Sequence, residues 1–207
     1  MVVARPLWFF GFDSLMEFIA FASAIAVAYQ ALKGYKLSKE RTLLYLNLSF
    51  VLIGAGLLID GLTSLVVLLT RFRFLSLTSF GYTINFIAQL LAYGLLFFAY
   101  IQQTRNMSSQ AAMAAAAPVF FFGHNPVTEL ILIFLLVYIA IQTAINYSVF
   151  KSSSSLLVFG AFASLTVAHL FFLAFTLAPV FFAFAHIAQL FGFLLLLAML
   201  LRVNQAR

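Results

Sequence analysis

Apolar residues run through this chain in blocks of about twenty, and the polar residues that interrupt them stand at the block ends or singly inside. No block alternates polar and apolar positions, as the strands of a membrane barrel do. At about 1.5 Å rise per residue, a helix of such a block crosses a hydrocarbon core about 30 Å thick. The pattern predicts helices over 14–33, 42–70, 80–103, 107–122, 126–148, 155–176 and 179–202. Asp13 and Asn125 suit N-caps, and Pro126 and Pro179 suit the start of a helix. The 107–122 segment is the weakest of the seven: short, Ala-rich from Ala111 to Ala117, opened by Ser108-Ser109 and interrupted by Pro118, it fits a crossing helix, a loop or a re-entrant piece.

The same pattern is written twice. A shift of 112 positions superposes Glu17 on Glu129, Gln30 on Gln142, Tyr35 on Tyr147 and Lys39 on Lys151. Apolar coincidences are cheap in such a chain, but coincident Glu, Gln, Tyr and Lys are not. Farther on, Ile87-Ala88-Gln89-Leu90 recurs as Ile187-Ala188-Gln189-Leu190 at an offset of 100, so the second copy is twelve residues shorter between its second and third segments. A duplicated three-segment unit is the simplest account.

Composition agrees with the pattern: 65% of residues are hydrophobic and 8% charged, against about a quarter charged in soluble domains. The net charge of +6 does not point to nucleic acid, because the basic residues stand at the ends of apolar segments, where they report topology. Cysteine is absent, which excludes disulfides, thiolate metal sites and cysteine nucleophiles. The first apolar run is followed, not preceded, by its positive cluster, which predicts an uncleaved first helix with its N-terminus outside.

Charge also chooses between readings of 107–122. Without a crossing there, five basic residues lie inside and six outside. With one, Lys33, Lys36, Lys39, Arg41, Arg105, Lys151, Arg202 and Arg207 lie inside against Arg5, Arg71 and Arg73 outside. The positive-inside rule favours the second. The expected fold is therefore an all-α integral membrane protein of seven transmembrane helices: two parallel three-helix repeats joined by a linker helix (3+1+3), N-terminus outside and C-terminus inside. The units are 1–105, 106–124 and 125–207.

With this topology, Asp13, Glu17, Asp60 and Glu129 fall toward the outer side, together with His124, His169 and His186. Ionisable groups in a membrane cost several kcal/mol unless paired or used, so these are the candidates for function. Glu17 and Glu129 fit two roles: carboxylates in a first helical turn, with Ser14 and Glu17 at capping-box spacing, or ligand and proton sites. Asp60 either reaches the outer headgroups or Arg71 and Arg73, or lines a site. His124 belongs to the Gly123-His124-Asn125-Pro126 turn. His169 and His186 lie at matching depth on consecutive helices, and their counterparts in the first copy are Leu57 and Phe86. Two such histidines suit a metal, a haem b or a quinone, or simply satisfy a neighbouring hydroxyl or carbonyl. Gln89 and Gln189 are repeat equivalents that fit interhelical hydrogen bonding first and pocket lining second.

A parallel 3+1+3 layout resembles, in architecture, the SWEET and PQ-loop transporters and more loosely the microbial rhodopsins. The motifs of those families are not carried over: Tyr29 and Ile141 precede Gln30 and Gln142 where a Pro-Gln motif has proline, and the last helix has no lysine for retinal. No catalytic motif is present. The sequence leads to a multi-pass protein of the cell membrane that binds or passes a small solute, proton or metal through an outward-facing polar site between the repeats, lined by Glu17, Asp60, Gln89, Glu129, His169, His186 and Gln189. The alternative is a membrane subunit of an electron-transfer complex holding haem or quinone near His169 and His186. The expected partners are the lipid bilayer and other membrane subunits or a second copy of the chain, not nucleic acid.

Overall fold

In the computed structural model the described residues are 7–70, 75–105, 126–175 and 177–205. They form six helices: α1 (Leu7–Ser38), α2 (Arg41–Thr70), α3 (Leu75–Arg105), α4 (Pro126–Phe150), α5 (Ser153–Ala174) and α6 (Val180–Gln205). All six are long and apolar enough to cross a membrane. The chain is a multi-pass membrane protein. The seven-helix expectation is thereby corrected to six helices among the described residues. The segment 107–122, expected to form the linker helix, lies outside them.

The repeat-related tyrosines and lysines have a local explanation. Lys39 and Lys151 follow α1 and α4 in the left-handed region, at φ 59 and 46, and their N–H groups donate to the carbonyls of Tyr35 and Tyr147 at 2.8 Å in both copies. This is the αL termination, here carried by lysine where glycine is usual. Ser152 then caps α5, its hydroxyl accepting from the N–H of Ser155 at 3.1 Å.

Helices adjacent in sequence pack antiparallel within each triplet, and serine hydroxyls tie the second helix to the third. Ser49 donates to the Ala92 carbonyl at 2.9 Å and Ser164 to that of Ala188 at 2.7 Å. Gly56 of α2 lets α3 approach, since a Cβ there would lie 3.0 Å from the Asn85 Cα. Two seams join the triplets, and in both the facing helices run in the same direction. Along α1 and α6, Phe9 meets Phe182 near the starts (ring centroids 4.5 Å), and Asn204 donates to the Gln30 carbonyl near the ends at 3.0 Å. Along α3 and α4, Tyr82 bonds Glu129 near the starts, and Phe97 meets Tyr138 farther along. The end of α3 and the start of α4 therefore stand at opposite ends of the bundle.

Phe50, Leu57, Leu96, Leu136, Phe162, Leu165, Phe193 and Leu196, all buried, fill the middle. The basic residues of the described helices and their junctions, Lys33, Lys36, Lys39, Arg41, Arg105, Lys151 and Arg202, gather at one end; Asp13, Glu17, Asp60 and Glu129 occupy the opposite half.

Candidate functional site

The polar side chains of the acidic half form two clusters, one at each seam. The first lies between α1, α2 and α6. Asp13 and Glu17 are one helical turn apart on α1, so both face the seam, and His186 comes from the second turn of α6. One ligand atom from each of the three lies within 4.8 Å of the others. The His186 Nε2 is 3.7 Å from Asp13 Oδ1, while Asp13 Oδ2 accepts from the Ser64 hydroxyl at 2.6 Å. Glu17 and His186 are 4% and 1% exposed. Neither His186 nitrogen nor Glu17 Oε2 has a hydrogen-bond partner among the described residues. Glu17 can pack there because residue 61 of α2 is glycine: a Cβ on Gly61 would stand 3.1 Å from that of Glu17. Phe12, Phe172 and Phe182 present their rings to the imidazole of His186 at centroid distances of 6.2, 5.2 and 4.5 Å, closing this pocket with apolar surface.

The second cluster lies between α3, α4 and α5. Tyr82 donates its hydroxyl to Glu129 Oε1 at 2.7 Å and stands 2.9 Å from the Thr128 hydroxyl. The other carboxylate oxygen, Oε2, is 2.8 Å from His169 Nδ1. With Nδ1 donating to that carboxylate, Nε2 is left to accept from the Tyr93 hydroxyl, 3.5 Å away. Glu129 and His169 are buried, at 3% and 2% exposed, and both are engaged. Between the clusters, Asn85 donates to Asp60 Oδ2 at 3.1 Å and accepts from Gln89 Nε2 at 2.9 Å. Asp60 thereby ties α2 to α3.

Sequence reasoning named most of these groups and misjudged several placements. Asp13 is not an N-cap, nor does Glu17 lie in a first turn: α1 begins at Leu7, which places both beyond the first turn of the helix and removes the capping roles. Glu129 does lie in the first turn of α4. The two histidines belong to different clusters, His186 with Asp13 and Glu17, His169 with Glu129. Gln189 is buried, with its Oε1 unpartnered among the described residues. Asn125, His124 and Arg71 lie outside the described residues. Ser64, Tyr82, Asn85 and Tyr93 were not singled out from the sequence. A signal existed: Tyr82, Asn85, Gln89 and Tyr93 recur every three or four residues, a polar stripe on one face of an otherwise apolar helix.

Glu17 and Glu129 are repeat equivalents, yet their surroundings differ. Glu129 receives Tyr82 and His169; the corresponding positions around Glu17 hold Phe182 and Leu57. The asymmetry leaves one satisfied carboxylate and one with an oxygen that lacks a hydrogen-bond partner among the described residues. Comparison with protein-family models, with curated proteins and with solved structures finds no match for this chain.

Proposed function

We propose that this protein binds or passes a proton or a metal cation across the cell membrane, through the polar site at the seams between its two three-helix units, acting without catalysis of its own. The observation that carries the reading is the Glu17 carboxylate, buried in a membrane-spanning helix, with one oxygen lacking a hydrogen-bond partner among the described residues and Asp13 clustered with it. A buried carboxylate oxygen with no hydrogen-bond partner is costly in a membrane, and a mobile cation is what such a group accommodates. The positive-inside bias assigns the basic end to the cytoplasm, so the site faces outward. Apolar side chains, among them Phe50, Leu57, Leu96 and Phe193, separate it from the basic end.

Flux tests this reading. Proteoliposomes containing the protein, loaded with a pH-sensitive or metal-sensitive dye, are expected to show flux that falls in Glu17→Gln and Glu129→Gln. Unchanged flux in both variants removes the glutamates from the reading. A second reading, haem or quinone held near His169 and His186, rests on the nitrogens of His186, which lack hydrogen-bond partners among the described residues, inside its collar of phenylalanine rings. An oxidised-minus-reduced optical spectrum decides for haem if it shows a band that His186→Ala abolishes.

A further inference from the structure

We infer that Asp13, Glu17 and His186 form a three-ligand site for a divalent transition-metal ion, set in the seam between α1 and α6. This deepens the cation reading above and rests on it for the site's role in transport, though not for its ability to bind. Three donors from two helices lie within 4.8 Å of one another. Metal bonds of about 2.0–2.2 Å put neighbouring donors roughly 3–3.5 Å apart. The 3.7 Å between His186 Nε2 and Asp13 Oδ1 is close to that spacing. Acid clusters alone say little, but here the atoms a metal would take are those left over. Both nitrogens of His186 and one oxygen of Glu17 are buried without hydrogen-bond partners among the described residues, whereas buried polar groups are ordinarily satisfied.

The donor set indicates the ion. One imidazole with two carboxylates suits borderline divalent ions such as zinc, manganese, cobalt or iron(II); calcium and magnesium prefer all-oxygen shells. Two carboxylates also match the charge of a dication, which their mutual repulsion in an apolar setting favours. The surroundings resemble the outer shell of a built site: the Ser64 hydroxyl holds Asp13 Oδ2 and turns Oδ1 toward His186. Phe12, Phe172 and Phe182 exclude water from the imidazole. The repeat makes the site single. The equivalents of Asp13, Glu17 and His186 are Asn125, Glu129 and Phe86, and Glu129 is already engaged by Tyr82 and His169.

The test is metal binding by the full chain in detergent after chelator treatment. Titration with zinc(II), and with cobalt(II) followed by its visible absorption, is expected to give one ion per chain, with magnesium(II) binding far more weakly. Ser64→Ala should lower affinity by about 10-fold to 100-fold, as loss of an outer-shell partner does, and Glu17→Gln and His186→Ala by more than that. Absence of binding by the parent protein overturns the inference, as does undiminished binding by folded Glu17→Gln and His186→Ala. Should those variants fail to fold, Asp13→Asn and a zinc-dependent rise in the parent's melting temperature take their place, and no rise counts against the site. Binding without flux keeps the site and removes the transport reading; proton flux without metal binding does the reverse.

Discussion

Replacing His169 by leucine, the residue at the equivalent position of the first copy, is expected to destabilise the protein by about 3 kcal/mol. Its Nδ1 lies 2.8 Å from Glu129 Oε2, both groups being almost wholly buried. Hydrogen bonds to a charged group contribute about 1.5–3 kcal/mol net, and stripping one partner from a buried pair costs about 3–5 kcal/mol. Ordinary interhelical hydrogen bonds in membranes average only about 0.6 kcal/mol. The two classes are therefore separable by experiment. Leucine fills a similar volume, so packing against Phe172 changes little, and Tyr82 still donates to the other carboxylate oxygen. Reversible unfolding in mixed micelles of His169→Leu, Glu129→Gln and the double variant supplies a cycle whose coupling should reach about 2 kcal/mol. A cost below about 1 kcal/mol for His169→Leu, with no coupling to Glu129, refutes the idea that the second cluster is held by a charged bond.

Other expectations follow from single features. Lys39→Gly and Lys151→Gly should each stabilise the protein by up to about 1 kcal/mol in the same unfolding assay, because glycine adopts the left-handed conformation found there without the Cβ penalty. Gly56→Ala should destabilise by about 1–3 kcal/mol through overpacking, since the added methyl would lie 3.0 Å from the α3 backbone; wild-type stability would mean that α2 and α3 are not in close contact. In this cysteine-free chain, single cysteines at the exposed positions Glu40, just after α1, and Gln205, at the end of α6, should react with an impermeant thiol reagent from the same side of the membrane, and labelling from opposite sides would contradict the packing of α1 along α6.

The amino-acid pattern was sufficient for some features because they depend on composition or register alone. Long apolar blocks have no other stable solution than spanning helices, whatever their neighbours. The pairing of Glu17 with Glu129, and of Tyr35 and Lys39 with Tyr147 and Lys151, was visible as register before its meaning was. Helix ends were less legible. In α1 the residues before Asp13 are as apolar as those after it, so nothing local prevents the helix from beginning at Leu7. The expected count of seven helices is not matched: the described residues contain six spanning helices, and 107–122 lies outside them.

What the sequence by itself determined is the membrane class, the duplication and the gathering of basic charge at one end. Those follow from hydrophobicity and register, which act locally along the chain. Only the tertiary structure decided which polar groups meet. Asp13 and His186 are far apart in the chain and are joined because α6 returns beside α1 in the same direction; His169 meets Glu129 because α5 packs against α4. Helix association in lipid depends on side-chain packing across seams more than on hydrophobicity, and hydropathy carries no record of it.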